Sequence, residues 1–360
     1  MAQADGPTLE HRYELVDTWD AELPTVANRP FHPEGLDLSP WGVVAVAERG
    51  NHLVSLWYPD GECLGRWGAR GGDPGRFEAP EDVAFGPSRD EPRLYVADTG
   101  NRRVQVLDGR TGAVLAAWAD VGLPRGIATD ADGRVFVSDA QNDVVRVFHA
   151  DGSPAGVWGG TGNGPGRLAD PLGLQVGPDG LLYVADHGNQ RVQWFDMQGE
   201  AQGALDVDNR SAPGGAPFDV GLAETGALYV AVDRGVLRYR GRATYQETIV
   251  PFQEEPTTGC PPGRCCVELV PIANHHEGVR RLAVTADGGL LFSYAPSLRW
   301  KDRITYMPRR GYDTHWPRCG TPENTHATDP KAIDAGRDPY IHVLDTSSNL
   351  HVYRPDGSLF

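Results

Sequence analysis

The sequence predicts an all-β fold, a single closed β-propeller of four-stranded antiparallel blades, and three observations carry that prediction. One pattern returns along the chain at a spacing of roughly 45 residues. Asp-Gly and related pairs fall where each copy needs a strand to reverse, because they supply the positive φ angles of tight hairpin turns. Tryptophans close successive copies at Trp67, Trp118 and Trp158.

The copy at 124–158 shows the elements in order. An inner strand Gly126-Ile127-Ala128-Thr129 meets the turn Asp130-Ala131-Asp132-Gly133, and a second strand Val135-Phe136-Val137-Ser138 follows. A third strand Val144-Val145-Arg146-Val147-Phe148 reaches the turn Ala150-Asp151-Gly152, and a fourth ends at Val157-Trp158-Gly159. The same late turn recurs at Asp60-Gly61 and Asp356-Gly357. One such meander cannot bury both of its faces, so successive copies must pack face to face around an axis, with the tryptophans between them.

Inner strands start at Pro33, Pro80, Pro124, Pro171, Pro217, a degenerate unit at Val279, and Pro330. That spacing predicts seven blades, with six as the alternative if the unit at 279–310 is an insertion. A ring must close, because an open end leaves an unpaired strand edge. Residues 13–19, which read like 113–118, are expected to supply the fourth strand of the last blade. The prediction is one domain over 1–360, with long insertions at about 251–277 and 308–328.

Composition narrows the function classes. With 45 glycines and 29 prolines the chain is rich in turns. Its 33 basic against 49 acidic side chains give a formal charge of −16, which disfavours a nucleic-acid backbone as partner. No apolar stretch approaches the ~20 residues that span a bilayer, and residues 1–6 lack a secretory pattern. A soluble, cytoplasmic protein is the expectation, with neither nucleic acid nor membrane insertion.

The run Leu94-Tyr95-Val96-Ala97-Asp98-Thr99-Gly100-Asn101-Arg102-Arg103-Val104-Gln105-Val106 and its counterpart Leu182-Tyr183-Val184-Ala185-Asp186-His187-Gly188-Asn189-Gln190-Arg191-Val192-Gln193-Trp194 resemble the NHL repeat. So do the loops from Trp67 to Phe77 and from Trp158 to Leu168. The resemblance is strong over residues 30–200, returns at 330–357 and is poor from about 205 to 328. It implies the propeller and a menu of activities: protein-binding scaffolds, RNA-binding propellers, and metal-dependent lyases or hydrolases at the mouth of the central channel. Fold alone does not choose among them.

Several motifs invite a functional reading. The glycines between Gly160 and Gly166 are followed by a strand rather than a helix, so they read as a turn and not as a phosphate cradle. The recurring pairs Glu48/Asn51, Asp98/Asn101, Asp139/Asn142, Asp186/Asn189 and Asp345/Asn349 read as turn-satisfying groups, with Arg103 and Arg191 as their partners.

The mouth is lined by the positions after each aligned proline. These are Glu34, Glu81, Arg125, Leu172, Phe218, Arg280 and Lys331, then Gly35, Asp82, Gly126, Gly173, Asp219, Arg281 and Ala332. The zinc lyases that the resemblance brings in place histidines from several blades there, whereas this sequence offers only His32. The carboxylates Glu34, Glu81, Asp82 and Asp219 have calcium chemistry, while Arg125, Arg280, Arg281 and Lys331 stand ready to neutralise them. That internal ion-pair network is the favoured reading.

The degenerate region holds Cys260, Cys265, Cys266, His275 and His276, and beyond them His315, Cys319 and His326. A zinc site, a disulfide from Cys319 to one of the other three, and unlinked thiols all stay open, since the spacing fits no standard finger or ribbon. No cofactor is expected from the rest of the chain, with calcium or zinc left as the metals to test.

No nucleophile and base pattern stands out, so the leading expectation is a non-enzymatic, protein-binding scaffold using its rim loops and insertions. It would be a subunit of a larger assembly such as an envelope complex or a tail-like injection machine. The alternative is a metal-dependent lyase or hydrolase at the channel mouth using Glu34, Glu81, Asp82, Asp219 or His32.

Overall fold

A computed structural model describes residues 33–57, 63–207, 215–223, 225–232, 235–242 and 244–249, and beyond 249 or before 33 only individual strands. The fold is an all-β propeller of four-stranded antiparallel blades. Blade 1 runs Pro33–Leu38, Val44–Glu48, Leu53–Trp57 and Cys63–Trp67, and blade 2 runs Asp82–Phe85, Arg93–Asp98, Arg103–Asp108 and Val114–Trp118. Blade 3 is Pro124–Thr129, Val135–Asp139, Val144–Phe148 and Pro154–Gly159; blade 4 is Pro171–Val176, Leu182–Asp186, Arg191–Phe195 and Ala201–Asp206. Blade 5 is Asp219–Leu222, Ala227–Val232, Gly235–Arg240 and Thr244–Ile249.

Alternate residues of each strand face opposite sides, so every blade feeds two cores. Ala45, Val54 and Leu56 of blade 1 meet Val83, Phe85 and Val96 of blade 2. Tyr95, Val104 and Trp118 of blade 2 meet Ile127, Val137 and Phe148 of blade 3, and the alternation continues between blades 3 and 4 and between blades 4 and 5. Each fully buried Val, Leu or Phe in these layers contributes about 1.5–3 kcal/mol. The layers between blades, rather than any one blade, hold the disc together.

The tryptophans lie where the pattern places them, and glycine explains how they fit. The turn between the third and fourth strands puts Gly112, Gly152 and Gly199 at positive φ, directly against Trp67, Trp118 and Trp158 of the preceding blade. A β-carbon at any of the three would fall inside the indole, and the left-handed backbone disfavours one as well. Turn and tryptophan therefore form one joint.

The blade count and the closure differ from the sequence expectation. Among the described residues five blades are built from four consecutive strands, not seven or six. Among the described residues the unit at 279 supplies Val279–Val284, Leu290–Tyr294 and Ile304–Met307, and the outer strand of that sheet is Asp17–Thr18, paired Asp17 to Tyr306 and Thr18 to Thr305. The unit at 330 forms a three-stranded sheet of Pro330–Asp334, Ile341–Asp345 and Leu350–Tyr353. The amino-terminal strand thus completes the 279 sheet and not the last unit. Its match to 113–118 gave it outer-strand character, but strand pairing is set by proximity, which the repeat pattern does not encode. A separate hairpin pairs Phe252–Pro256 with Val267–Pro271, inside the first expected insertion.

Candidate functional site

The recurring acids are buried organisers of the turns. Asp98 is fully buried; its Oδ1 accepts from the Glu78 N–H at 2.8 Å, and Asn101, Arg103 and Gln105 all donate to it. Arg103 goes on to donate to the carbonyls of Gly72, Asp73 and Arg76, while Gln105 donates to Arg76 and accepts from the Gly75 N–H. Blade 4 repeats the arrangement with Asp186, Asn189, Arg191 and Gln193 clamping the carbonyls of Asn163, Gly164 and Arg167. In blade 3, burial pushes the Asp139 carboxyl up, but Asn142, the Leu123 N–H and Arg146 outweigh it and hold it below the usual range. Glu48 of blade 1 is served by Asn51 and by Arg66 from the outer strand.

A second set of polar side chains joins inner strands of neighbouring sheets. Asp37 accepts from the Phe85 N–H at 2.7 Å, Asp82 from Ile127 at 3.0 Å, Gln175 from Leu222 at 2.6 Å and Asp219 from Leu282 at 2.8 Å. Gly35 and Gly173 lie directly against Asp82 and Asp219, where no side chain fits. Burial pushes the Asp37 carboxyl up to about 6, against the pull of the Phe85 and Leu38 backbone N–H groups.

The mouth is built on backbone irregularity. Register shifts between Pro33 and Leu36, Pro124 and Ile127, and Pro171 and Leu174 free the intervening residues from the ladder. Arg125 donates to Glu81 at 2.5 Å, and Arg49 lies 3.7 Å from Glu81 and 3.6 Å from Glu34, so an ion-pair chain runs over blades 1 to 3. Blades 4 and 5 present Leu172 and Phe218 at the same level. Beside Phe218 stands His187, its Nδ1 3.0 Å from the Pro217 carbonyl and its ring centroid 4.8 Å from that of Phe218.

Of the sequence candidates, Glu34, Glu81, Asp82, Arg125 and Asp219 thus lie at the inner-strand ends, Glu81 and Arg125 in direct contact. Arg280, Arg281 and Lys331 fall on described strands whose side chains are outside the described set. His32, Cys260, Cys265, Cys266, His275, His276, His315, Cys319 and His326 lie outside the described residues. Among the described residues no three His, Cys, Asp or Glu side chains are grouped to hold a metal ion. No described helix is long and apolar enough to cross a membrane.

Reading only the positions after each proline misses Arg49 and His187. Both occupy the variable position after the buried acid, filled in successive blades by Arg49, Thr99, Ala140 and His187. Variation at a single position among otherwise matching copies was the available signal.

Sequence and structure comparisons agree on the class. The NHL repeat profile matches residues 168–195. The human NHL repeat-containing protein 3 is 32% identical over 153 residues, covering 40% of this chain and 43% of that protein. The human E3 ubiquitin-protein ligase NHLRC1 is 27% identical over 186 residues, covering 49% of this chain and 46% of that protein. The chain thus spans less than half the length of either relative. Among solved structures, a streptogramin B lyase superposes with a TM-score of 0.54 at 13% identity over 81% of this chain and 96% of its own. U3-55K does so at 0.56 and 13% over 77% and 95%. At such identity these two likenesses speak to fold alone. The chain is thus a β-propeller whose residues 168–195 match the NHL repeat.

Proposed function

We propose that this propeller is a non-enzymatic protein-binding scaffold that engages its partner through the rim, as a subunit of a larger assembly. The observation that carries the reading is the placement of exposed apolar side chains. Leu64, Leu115 and Val157 are 42%, 55% and 61% exposed and fall on the outer strands of three successive blades. They lie on outer strands whose tryptophans pack toward the inter-blade layers, so three successive blades each expose an apolar side chain at the rim, and exposed apolar surface of this kind can mark interaction sites. The two expected insertions, at about 251–277 and 308–328, belong to the same proposal as further contact loops.

Closure of the disc by the 279–307 sheet is part of this reading. It is supported by Val279–Val284 packing against Asp219–Leu222 on one side and Pro33–Leu38 on the other. A rigid disc suits a scaffold.

The rival reading, a metal-dependent lyase or hydrolase at the mouth, draws on Asp82 and Asp219 as ligands. Each already spends an oxygen on a backbone N–H of the next sheet. Affinity purification from the native host, run beside a metal assay, tests the two together. A stoichiometric partner retained by wild type and lost from a Leu64→Asp, Leu115→Asp, Val157→Asp variant of unchanged melting temperature supports the scaffold. A partner unaffected by the triple change, or stoichiometric metal without a partner, overturns it.

A further inference from the structure

The described part of the mouth is divided. Over blades 1 to 3 its charged residues Glu34, Arg49, Glu81 and Arg125 are joined by ion pairs. Over blades 4 and 5 the corresponding positions are Leu172 and Phe218, and the two halves adjoin without a gap. The Leu172 carbonyl lies against Gly126, and the Gly173 N–H donates to the Phe218 carbonyl at 3.0 Å.

His187 sits in this apolar half, and its hydrogen bond fixes its chemistry. The position it fills has a structural job, shown by Thr99 in blade 2, whose Oγ1 donates to the Pro124 carbonyl at 2.7 Å and so ties one blade's turn to the next blade's inner strand. His187 makes the same tie through Nδ1 to the Pro217 carbonyl at 3.0 Å. A carbonyl only accepts, so Nδ1 carries the proton and Nε2 of the neutral ring is an acceptor. The ring is half-buried, and no described residue donates to that Nε2. A threonine would have made the tie; histidine adds an aromatic face against Phe218 and one acceptor that no described residue uses.

We propose that the half of the mouth formed by Leu172, His187 and Phe218 binds a phenol-type aromatic group, its hydroxyl donating to His187 Nε2 and its ring lying on Phe218. This is independent of the rim reading. The chemistry matches on both counts. Offset aromatic contacts add to the area buried, and a site with a directed acceptor prefers a ligand with a donor over its isostere without one. A free phenol and a tyrosyl side chain share this chemistry.

The test is a titration of the whole chain with 4-methylphenol, with toluene as the isostere lacking the hydroxyl and N-acetyl-L-tyrosinamide as the peptide-borne phenol. The readout is the His187 ring nitrogen resonance. The phenols are expected to move the Nε2 signal and to bind about fivefold more tightly than toluene, the effect of one net hydrogen bond. Whichever phenol binds more tightly names the source. His187→Thr keeps the tie to Pro217 and is expected to abolish the preference for phenol over toluene without a change in melting temperature. Phe218→Ala is expected to weaken all three probes. A phenol that leaves the His187 resonance unmoved, or a preference that survives His187→Thr, overturns the proposal.

Discussion

Blades 2 and 4 keep one solution to a buried carboxylate, and blades 1 and 3 keep two others. In blades 2 and 4 the acid is surrounded by Asn, Arg and Gln, and the Arg and Gln reach outward to hold the glycine-rich loops at 69–77 and 160–168. Blade 3 follows a short connection, 119–123, whose Leu123 N–H meets Asp139 directly, and Arg146 takes the place that Gln105 and Gln193 fill. Blade 1 uses a longer acid, Glu48, and draws its arginine from the outer strand. The acid is the fixed element and its partners follow the loop. Where a long loop must be held, an arginine is present at the start of the third strand; where none exists, that position is free to become Val144.

The largest effect expected from breaking this comparison is at the acid itself. Asp98→Ala removes the buried carboxylate to which Asn101, Arg103 and Gln105 all donate and should cost about 3–5 kcal/mol in denaturant unfolding. Asp186→Ala should match it, since the surroundings repeat. A cost below about 1 kcal/mol at either would show the acids to be ornamental.

The next effect separates turn acids from the acids between sheets, and it has the opposite sign. The Asp37 carboxyl, raised to about 6 from 3.8, binds its proton more tightly when folded than when unfolded. Its contribution therefore favours folding at low pH and is lost as pH rises from about 4 to about 6. Asp37→Asn keeps an oxygen to accept from Phe85 and should gain on the order of 3 kcal/mol at neutral pH, with no gain at pH 4. Urea melts at the two pH values check it.

Arg103→Ala should cost about 1.5–3 kcal/mol and also expose the loop at 69–77 to trypsin at Arg70 and Arg76. Arg146→Ala should destabilise by a similar amount without opening any loop, because Arg146 holds none. Equal proteolysis in both variants would dissolve the distinction. The smallest effect is on the rim. Leu115→Ser should change stability by no more than about 0.5 kcal/mol, as an exposed substitution away from the core does.

The repeat made much of this legible. Strand order, turn positions, the outer-strand place of the tryptophans and the structural role of Asp98, Asp139 and Asp186 all follow from residues local in sequence. Asp-Gly fixes a hairpin, alternation fixes a face, and an Asx side chain beside Gly-Asn fixes a turn. Asp82 and Asp219 were legible as mouth carboxylates, but not as acceptors for N–H groups 45 and 63 residues away. His187 was hidden because its role lies in the carbonyl of Pro217, 30 residues on.

Local chemistry thus let the sequence by itself determine the blade as a unit and its resemblance to the NHL repeat. Only the tertiary structure decided how the units meet: five blades of consecutive strands, and an amino-terminal strand that pairs with Ile304–Met307. It also joined Glu34, Arg49, Glu81 and Arg125 into one ion-pair chain across blades 1 to 3. The physical reason is that pairing between blades depends on which backbone N–H groups lie within ~3 Å of which oxygens, and no periodicity along one chain specifies that.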